Sequence, residues 1–275
     1  MDTTLQALVM GIVQGLTEFL PISSSGHLIL VPYVLGWNDP FIDSLAFSVL
    51  LHMGTLVALL VYFWRDWLAL VPAGIAAIRD RSLRNDPDRR LAWLIVVTAV
   101  PAALVGVLLN DFIESHVRQA GLVALLLVVG AAIMWLADRW GRRNREMGDL
   151  SFLAALGIGV AQAVALLPGV SRSGISISAG LFAGLTREAA ARFSFLMAAP
   201  VIGGAGLFEA RKLVSGEAGV TVSLAPLVVG FVAATVAGLV AIWALLRYVR
   251  SNSLSLFVAY RIVAAAFVLV VLLSR

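Results

Sequence analysis

The chain has 275 residues, of which 61% are hydrophobic and only 13% charged, with a mean hydropathy of +0.97 and no cysteine. Soluble proteins lie near half apolar and a quarter charged, so a soluble fold is excluded, and disulfide and thiolate chemistry with it. The net charge of +4 and the pI near 10.1 come from arginines in short loops between apolar runs. That is the pattern of membrane topology rather than of a nucleic-acid partner.

In chain order, the first apolar segment, 5–36, is broken in its middle by Pro21, three serines and Gly26. The N-terminus carries no basic stretch ahead of it, so no cleavable signal is expected. Runs of about 20 residues, enough to cross ~30 Å of hydrocarbon, follow at 44–64, 91–110 and 119–137. A second broken segment covers 152–186, with Pro168, Gly169 and Gly174 near its centre, and spans at 190–208, 224–246 and 254–273 complete the chain. The apolar runs are continuous rather than alternating, so the spans are helices and not barrel strands. Each broken segment reads as a re-entrant helix pair, about 5–20 with 24–35 and about 152–167 with 172–185. A single kinked spanning helix is the alternative in each case. Backbone broken at membrane depth persists only when buried in protein or lining a wet cavity, which puts both hairpins inside the bundle.

The two broken segments are copies of one another. Gln14, Pro21, the serine cluster and Gly26 match Gln162, Pro168, Ser171, Ser173 and Gly174 with one residue of slack. Loops 65–90 and 138–149, with the turns at 187–192 and 247–250, hold most of the arginines; loops 37–43, 110–118 and 209–220 hold few bases. Six spans and two hairpins place every Arg-rich loop on one face and both termini on the other. Three spans separate the hairpins, so they enter from opposite faces. The expected fold is therefore an all-α polytopic membrane protein, with six transmembrane helices and two re-entrant helix hairpins. It forms an inverted-topology repeat, residues 1–138 and 150–275, with the site at the repeat interface.

Ionisable groups within spans are costly and mark function by default. Here they are Glu18, His27, His52 and Arg172, accompanied by hydroxyls on Ser23, Ser24, Ser25, Ser171, Ser173 and Ser176. Gln14 and Glu18 share one helix face and point toward the Pro21–Gly26 turn. A structural ion pair of Glu18 with Arg172 is the plain reading, but it leaves the serines and His27 without a purpose. The sharper reading is an anion site. Arg172 offers a planar fork to phosphate oxygens, and each Ser-Gly turn opens a helix whose first N–H groups face an anion. Two such cradles make a diphosphate-sized pocket. His27 or Ser24 then serves as nucleophile, and Glu18 orients it, deprotonates it, or shares a divalent cation with Gln14 and the substrate phosphates. His52 is expected to be a hydrogen-bonded bundle histidine. The tryptophans near span ends read as interfacial anchors, and Gly203, Gly206, Gly230 and Gly238 as sites of close helix approach, in the core or in a dimer.

Gln14 to Glu18, Pro21 to His27 and Pro168 to Gly174 closely resemble the motifs of the undecaprenyl-diphosphate phosphatase, or bacitracin-resistance, family of bacteria, and the likeness covers nearly the whole chain. The resemblance implies hydrolysis of a C55 isoprenyl diphosphate to the monophosphate, in the bacterial inner membrane, to recycle the lipid carrier of peptidoglycan synthesis. It also implies a site open to the periplasm, a divalent cation such as Mg²⁺ or Ca²⁺, membrane lipid partners and a homodimer. The family's acidic motif accepts Glu or Gln at its first position; this chain has Gln14, which leaves Glu18 as the motif's one acid. Ser176 stands where the family often has Thr. A lipid-phosphate or anion transporter is the rival reading, because inverted repeats with broken helices also serve alternating access.

Overall fold

A computed structural model describes residues 2–83, 86–117, 119–214 and 224–274. Arg84, Arg118 and Glu217, charges within the loops compared above, lie outside the described residues. Among the described residues every regular element is a helix, a short 3-10 turn at Met147–Asp149 and eleven α-helices: α1 (Thr3–Phe19), α2 (Ser24–Leu35), α3 (Leu45–Tyr62), α4 (Trp64–Arg79), α5 (Pro87–His116), α6 (Ala120–Trp140), α7 (Phe152–Val164), α8 (Arg172–Phe182), α9 (Arg187–Val214), α10 (Leu224–Val249) and α11 (Ser255–Ser274). Helices α5, α6, α9, α10 and α11 are each long and apolar enough to cross a membrane, and α3 makes a sixth when taken with α4. The chain is a polytopic all-α membrane protein.

Both broken segments return to the face they enter from. The Thr3 hydroxyl, at the start of α1, donates to Asp39 just beyond α2, at 2.6 Å. That bond, with the Phe41 and Ile42 amides, holds the Asp39 carboxyl below the usual carboxylate range. At the second hairpin the amides of Asn144 and Arg145 donate to the Gly184 carbonyl at 3.0 Å, and the Thr186 amide to Arg145 at 2.9 Å. Entry and exit are thus tied together, which a kinked span cannot do. The 13 residues of α7 and 11 of α8 reach only about 15–20 Å, short of a bilayer's hydrocarbon core.

The packing exchanges under the repeat. Helix α1 lies along α10, and its counterpart α7 along α5; α3 meets α10 as α9 meets α5. Helices α3 with α9, and α6 with α11, pair with their own counterparts. Close approach of α1 to α10 depends on glycine: a Cβ on Gly11 would stand 2.4 Å from the Gly230 carbonyl oxygen, and one on Gly15 2.5 Å from that of Ala234. Gly230 and Gly238 also face Phe47, Ala58 and Phe19, so these small residues serve the core. In a bilayer, where lipid is as apolar as leucine, such packing is what drives helices together.

The Arg-rich region departs from its expected loop form. Residues Trp64–Arg79 make α4, bent 86° from α3. Trp64, Leu68, Val71, Ile75 and Ile78 recur at helical spacing and are exposed, the stripe of a helix lying in a membrane interface. The arginines of this face also bond across the structure. Arg187 pairs with Asp138, Arg192 with Asp66 and Arg250 with Glu188, and Arg90 donates to the Gly148 and Leu150 carbonyls.

Candidate functional site

The turn of each hairpin is built the same way. Ser23 (φ 78°, ψ 91°) caps α2 and its hydroxyl accepts from the Gly26 amide; Ser171 (φ 75°, ψ 114°) caps α8 and accepts from the Gly174 amide. A non-glycine residue at positive φ costs on the order of 1–3 kcal/mol and persists where surrounding structure holds it, commonly at functional sites. The strained serines open each helix with its N–H groups pointing out of the turn, where the helix dipole favours an anion.

One buried guanidinium holds both turns. Arg261 of α11 is fully buried; it donates to the carbonyls of Gly169 (2.8 Å) and Val170 (2.9 Å), to Leu127 (3.1 Å), and at 3.5 Å to Pro21. Room for it comes from Gly130, where a Cβ would stand 2.1 Å from the guanidinium. Arg261 is absent from the sequence-derived set, although an arginine in the middle of the apolar run 254–273 is as strong a signal as Glu18.

Between the turns lies a charged cluster. Glu18, buried near the end of α1, forms an ion pair with Arg172 from the other half through one carboxylate oxygen and accepts the Ser24 hydroxyl through the other. The Gln14 amide donates to that second oxygen at 3.1 Å. Arg172 also donates to the Ala198 carbonyl of α9 at 3.3 Å. His52 is hydrogen-bonded within the bundle as expected, its Nδ1 donating to the Ser48 carbonyl at 2.7 Å, and its Nε2 also comes within 3.7 Å of Glu18. Ser173 donates to the Leu20 carbonyl at 3.1 Å, closing the gap between the halves. Ser25 and Ser23 lie within 3.4 Å of each other, and Ser176 bonds Ser194 of α9 at 2.6 Å, away from the carboxylate.

His27 has other partners. Its Nδ1 donates to the Ser23 carbonyl and its Nε2 meets the Tyr260 hydroxyl, both at 2.7 Å, with the two rings stacked. A carbonyl only accepts, so Nδ1 bears the proton, and a neutral imidazole then takes the Tyr260 proton on Nε2. Both ring nitrogens are engaged. The structure thus brings Gln14, Glu18, Ser24, His52 and Arg172 together and gives His27 a supporting place on the first turn. Tyr260, with no apparent signal in the sequence, completes that support.

No cluster of three or more His, Asp or Glu side chains able to hold a metal occurs among the described residues. Gln14 Oε1, however, is a buried acceptor without a hydrogen-bond partner, beside the Glu18 carboxylate. A neutral oxygen and one carboxylate are too few for a stand-alone cation cage, but they fit a Mg²⁺-like ion whose remaining ligands are water and substrate phosphate.

The fold is that of a multi-pass membrane protein in which a buried carboxylate joins a hydroxyl from one strained turn to a guanidinium from the other. The family model described as bacitracin resistance protein BacA matches residues 7–267, and the chain belongs to that family. Among similar curated proteins, the undecaprenyl-diphosphatase of Thermomicrobium roseum is 47% identical, with 97% of each chain covered. Those of Moorella thermoacetica and Desulforudis audaxviator are 45% and 44% identical over 99% and 98% of each chain.

Proposed function

We infer that this protein is a membrane phosphatase that hydrolyses undecaprenyl diphosphate to undecaprenyl phosphate and inorganic phosphate, the reaction named for its relatives. The observation that carries the reading is the Ser24–Glu18–Arg172 chain, in which a hydroxyl, its base and a phosphate-binding cation meet across the two halves. In this reading residues 1–138 supply base and nucleophile, and residues 150–275 supply the cation. The pocket faces the periplasmic side of the bacterial inner membrane.

The Ser24 oxygen attacks the terminal phosphorus, Glu18 takes its proton, and the bond to the bridging oxygen breaks, releasing the lipid monophosphate. Water then opens the phosphoserine, giving phosphate and restoring the hydroxyl. Arg172, the N–H groups at the starts of α2 and α8, and the hydroxyls of Ser25 and Ser171 hold the phosphoryl oxygens as charge develops, while Ser173, bonded to the Leu20 carbonyl, keeps the two turns together. Ser23, Gly26 and Gly174 shape the cradles that present those groups, and Ser176 steadies α8 against α9. His27, held by Ser23 and Tyr260, fixes the first cradle. A divalent cation held by Gln14, Glu18 and substrate would neutralise phosphate charge.

A carrier of lipid phosphates needs the two cradles and the guanidinium but has no use for a serine bonded to a base. The separating experiment is phosphate release from C55 diphosphate by purified protein in detergent, with divalent cation supplied. Multiple turnover is expected; binding without release in the absence of two compartments would favour the carrier.

A further inference from the structure

A second feature shares helices with the polar site and has no part in the chemistry above: an apolar cavity of about 560 Å³ between α3, α9 and α10. Val49, Met53 and Leu56 line it from α3, Gly203 and Gly206 from α9, and Leu227 from α10. Its volume falls within the ~300–1,000 Å³ typical of ligand pockets, yet it lacks the placed polar groups such pockets use to orient a polar molecule. Its occupant must therefore be a hydrocarbon.

Two of the helices that wall this cavity, α3 and α9, also reach the polar site. Positions 49, 52, 53 and 56 share one face of α3 by helical spacing. The same face thus carries both the lining side chains and His52, whose ring reaches Glu18 at 3.7 Å. On α9 the Ala198 carbonyl takes Arg172, and Gly203 lies about 7.5 Å further along the axis. The glycines keep the space open. A Cβ on Gly203 would meet only a Leu56 methyl at 3.7 Å, an ordinary contact, and Gly204 beside it meets nothing within 4 Å. The cavity runs from there toward the starts of α3 and α10, the end opposite the arginine-rich face.

We propose that this groove holds the first isoprene units of the lipid diphosphate, so that α3 and α9 select a long prenyl chain whose phosphates sit at the neighbouring polar site. The assignment rests on the phosphatase reading and adds to it the element that distinguishes substrates by tail. Transfer of a chain from lipid into an apolar groove gains little hydrophobic energy. The groove therefore acts through packing and alignment, and its effect appears as discrimination between chain lengths.

The test measures kcat and KM in detergent for a C55 diphosphate and for a C5 prenyl diphosphate, on Gly203→Leu and Ala46→Phe. Both substitutions fill the cavity, from opposite walls, and neither position belongs to the catalytic cluster. A control, Val107→Phe, places the same bulk on an exposed lipid-facing position of α5. The expected result is at least a tenfold fall in kcat/KM for the C55 substrate, carried mainly by KM, with C5 turnover within about twofold of the parent in both groove variants. Turnover of C5 also shows that each variant is folded. Equal effects on the two substrates, no effect on either, or the same selectivity in the control would overturn the assignment. Parent protein inactive on both substrates would instead remove the phosphatase reading, and the occupant with it.

Discussion

The two hairpin turns have nearly one backbone and two chemistries. Ser23 and Ser171 adopt the same positive-φ conformation and cap their helices through the same bond, to Gly26 and Gly174. What precedes and follows the caps differs. In the first turn Gln14 donates to Glu18, and the next residue after the cap is Ser24, bonded to that carboxylate. In the second, Gln162 donates to the Thr98 carbonyl at 3.3 Å, no acid follows it on α7, and the residue after the cap is Arg172. A duplicated frame thus sets up equivalent positions, and the two copies fill them with complementary charges. The ion pair that results closes the repeat interface at its centre, while Arg261 ties both turns to one point from behind.

Removing one serine from each turn has the largest expected effect. Ser24→Ala removes the attacking hydroxyl and should lower kcat by ~10³-fold or more, since loss of a nucleophile disables the whole catalytic unit. Ser171→Ala removes a cap worth about 1 kcal/mol and one cradle group, and should cost no more than about tenfold. Phosphate release by the two purified variants decides; similar losses would mean that the turns share the chemistry. Next comes the cation that the second turn contributes. Arg172→Ala should reduce kcat/KM by ~10²–10³-fold, the usual worth of a transition-state donor, with helix content by circular dichroism unchanged. Normal turnover would make the Glu18–Arg172 pair purely structural.

The smallest effect sharpens the comparison in packing. Gly15→Ala forces a Cβ to within 2.5 Å of the Ala234 oxygen and 2.6 Å of the Ala237 Cβ, so α1 and α10 must separate. A loss of about 1–3 kcal/mol is expected. Gly157→Ala on α7, where nothing stands within 4 Å, should be neutral or gain up to about 1 kcal/mol from helix propensity. Thermal unfolding in detergent reads both; equal melting shifts would contradict the close approach assigned to α1.

Much of this was legible from hydropathy and spacing because a bilayer imposes strict rules on a chain. Continuous apolar runs gave the spans, and Pro, Ser and Gly at matching places gave the re-entrant hairpins and the meeting of Glu18, Ser24 and Arg172. The residues that escaped did so for identifiable reasons. Helix α4 carries enough charge to read as a loop, since an interfacial helix has a polar face as well as an apolar one. His52 sits in the apolar run Leu50–Gly54 and gives no sign of its second contact, because Glu18 approaches it from another helix. The roles of His27 and Tyr260 depend on an α2–α11 contact that spacing does not encode. Arg261 was visible as a charge in a span, but its partners are backbone carbonyls, which no side-chain pattern announces.

The central claim is that chemistry passes through Ser24 under the control of Glu18 and Arg172. Rapid acid and alkaline quenching of the purified protein with substrate labelled at the terminal phosphate, followed by peptide mapping, tests it directly. An acid-stable phosphoryl group on Ser24 that disappears in Ser24→Ala is the expected result. Label on His27, stable in alkali and lost in acid, or turnover with no covalent label at any time, would contradict it.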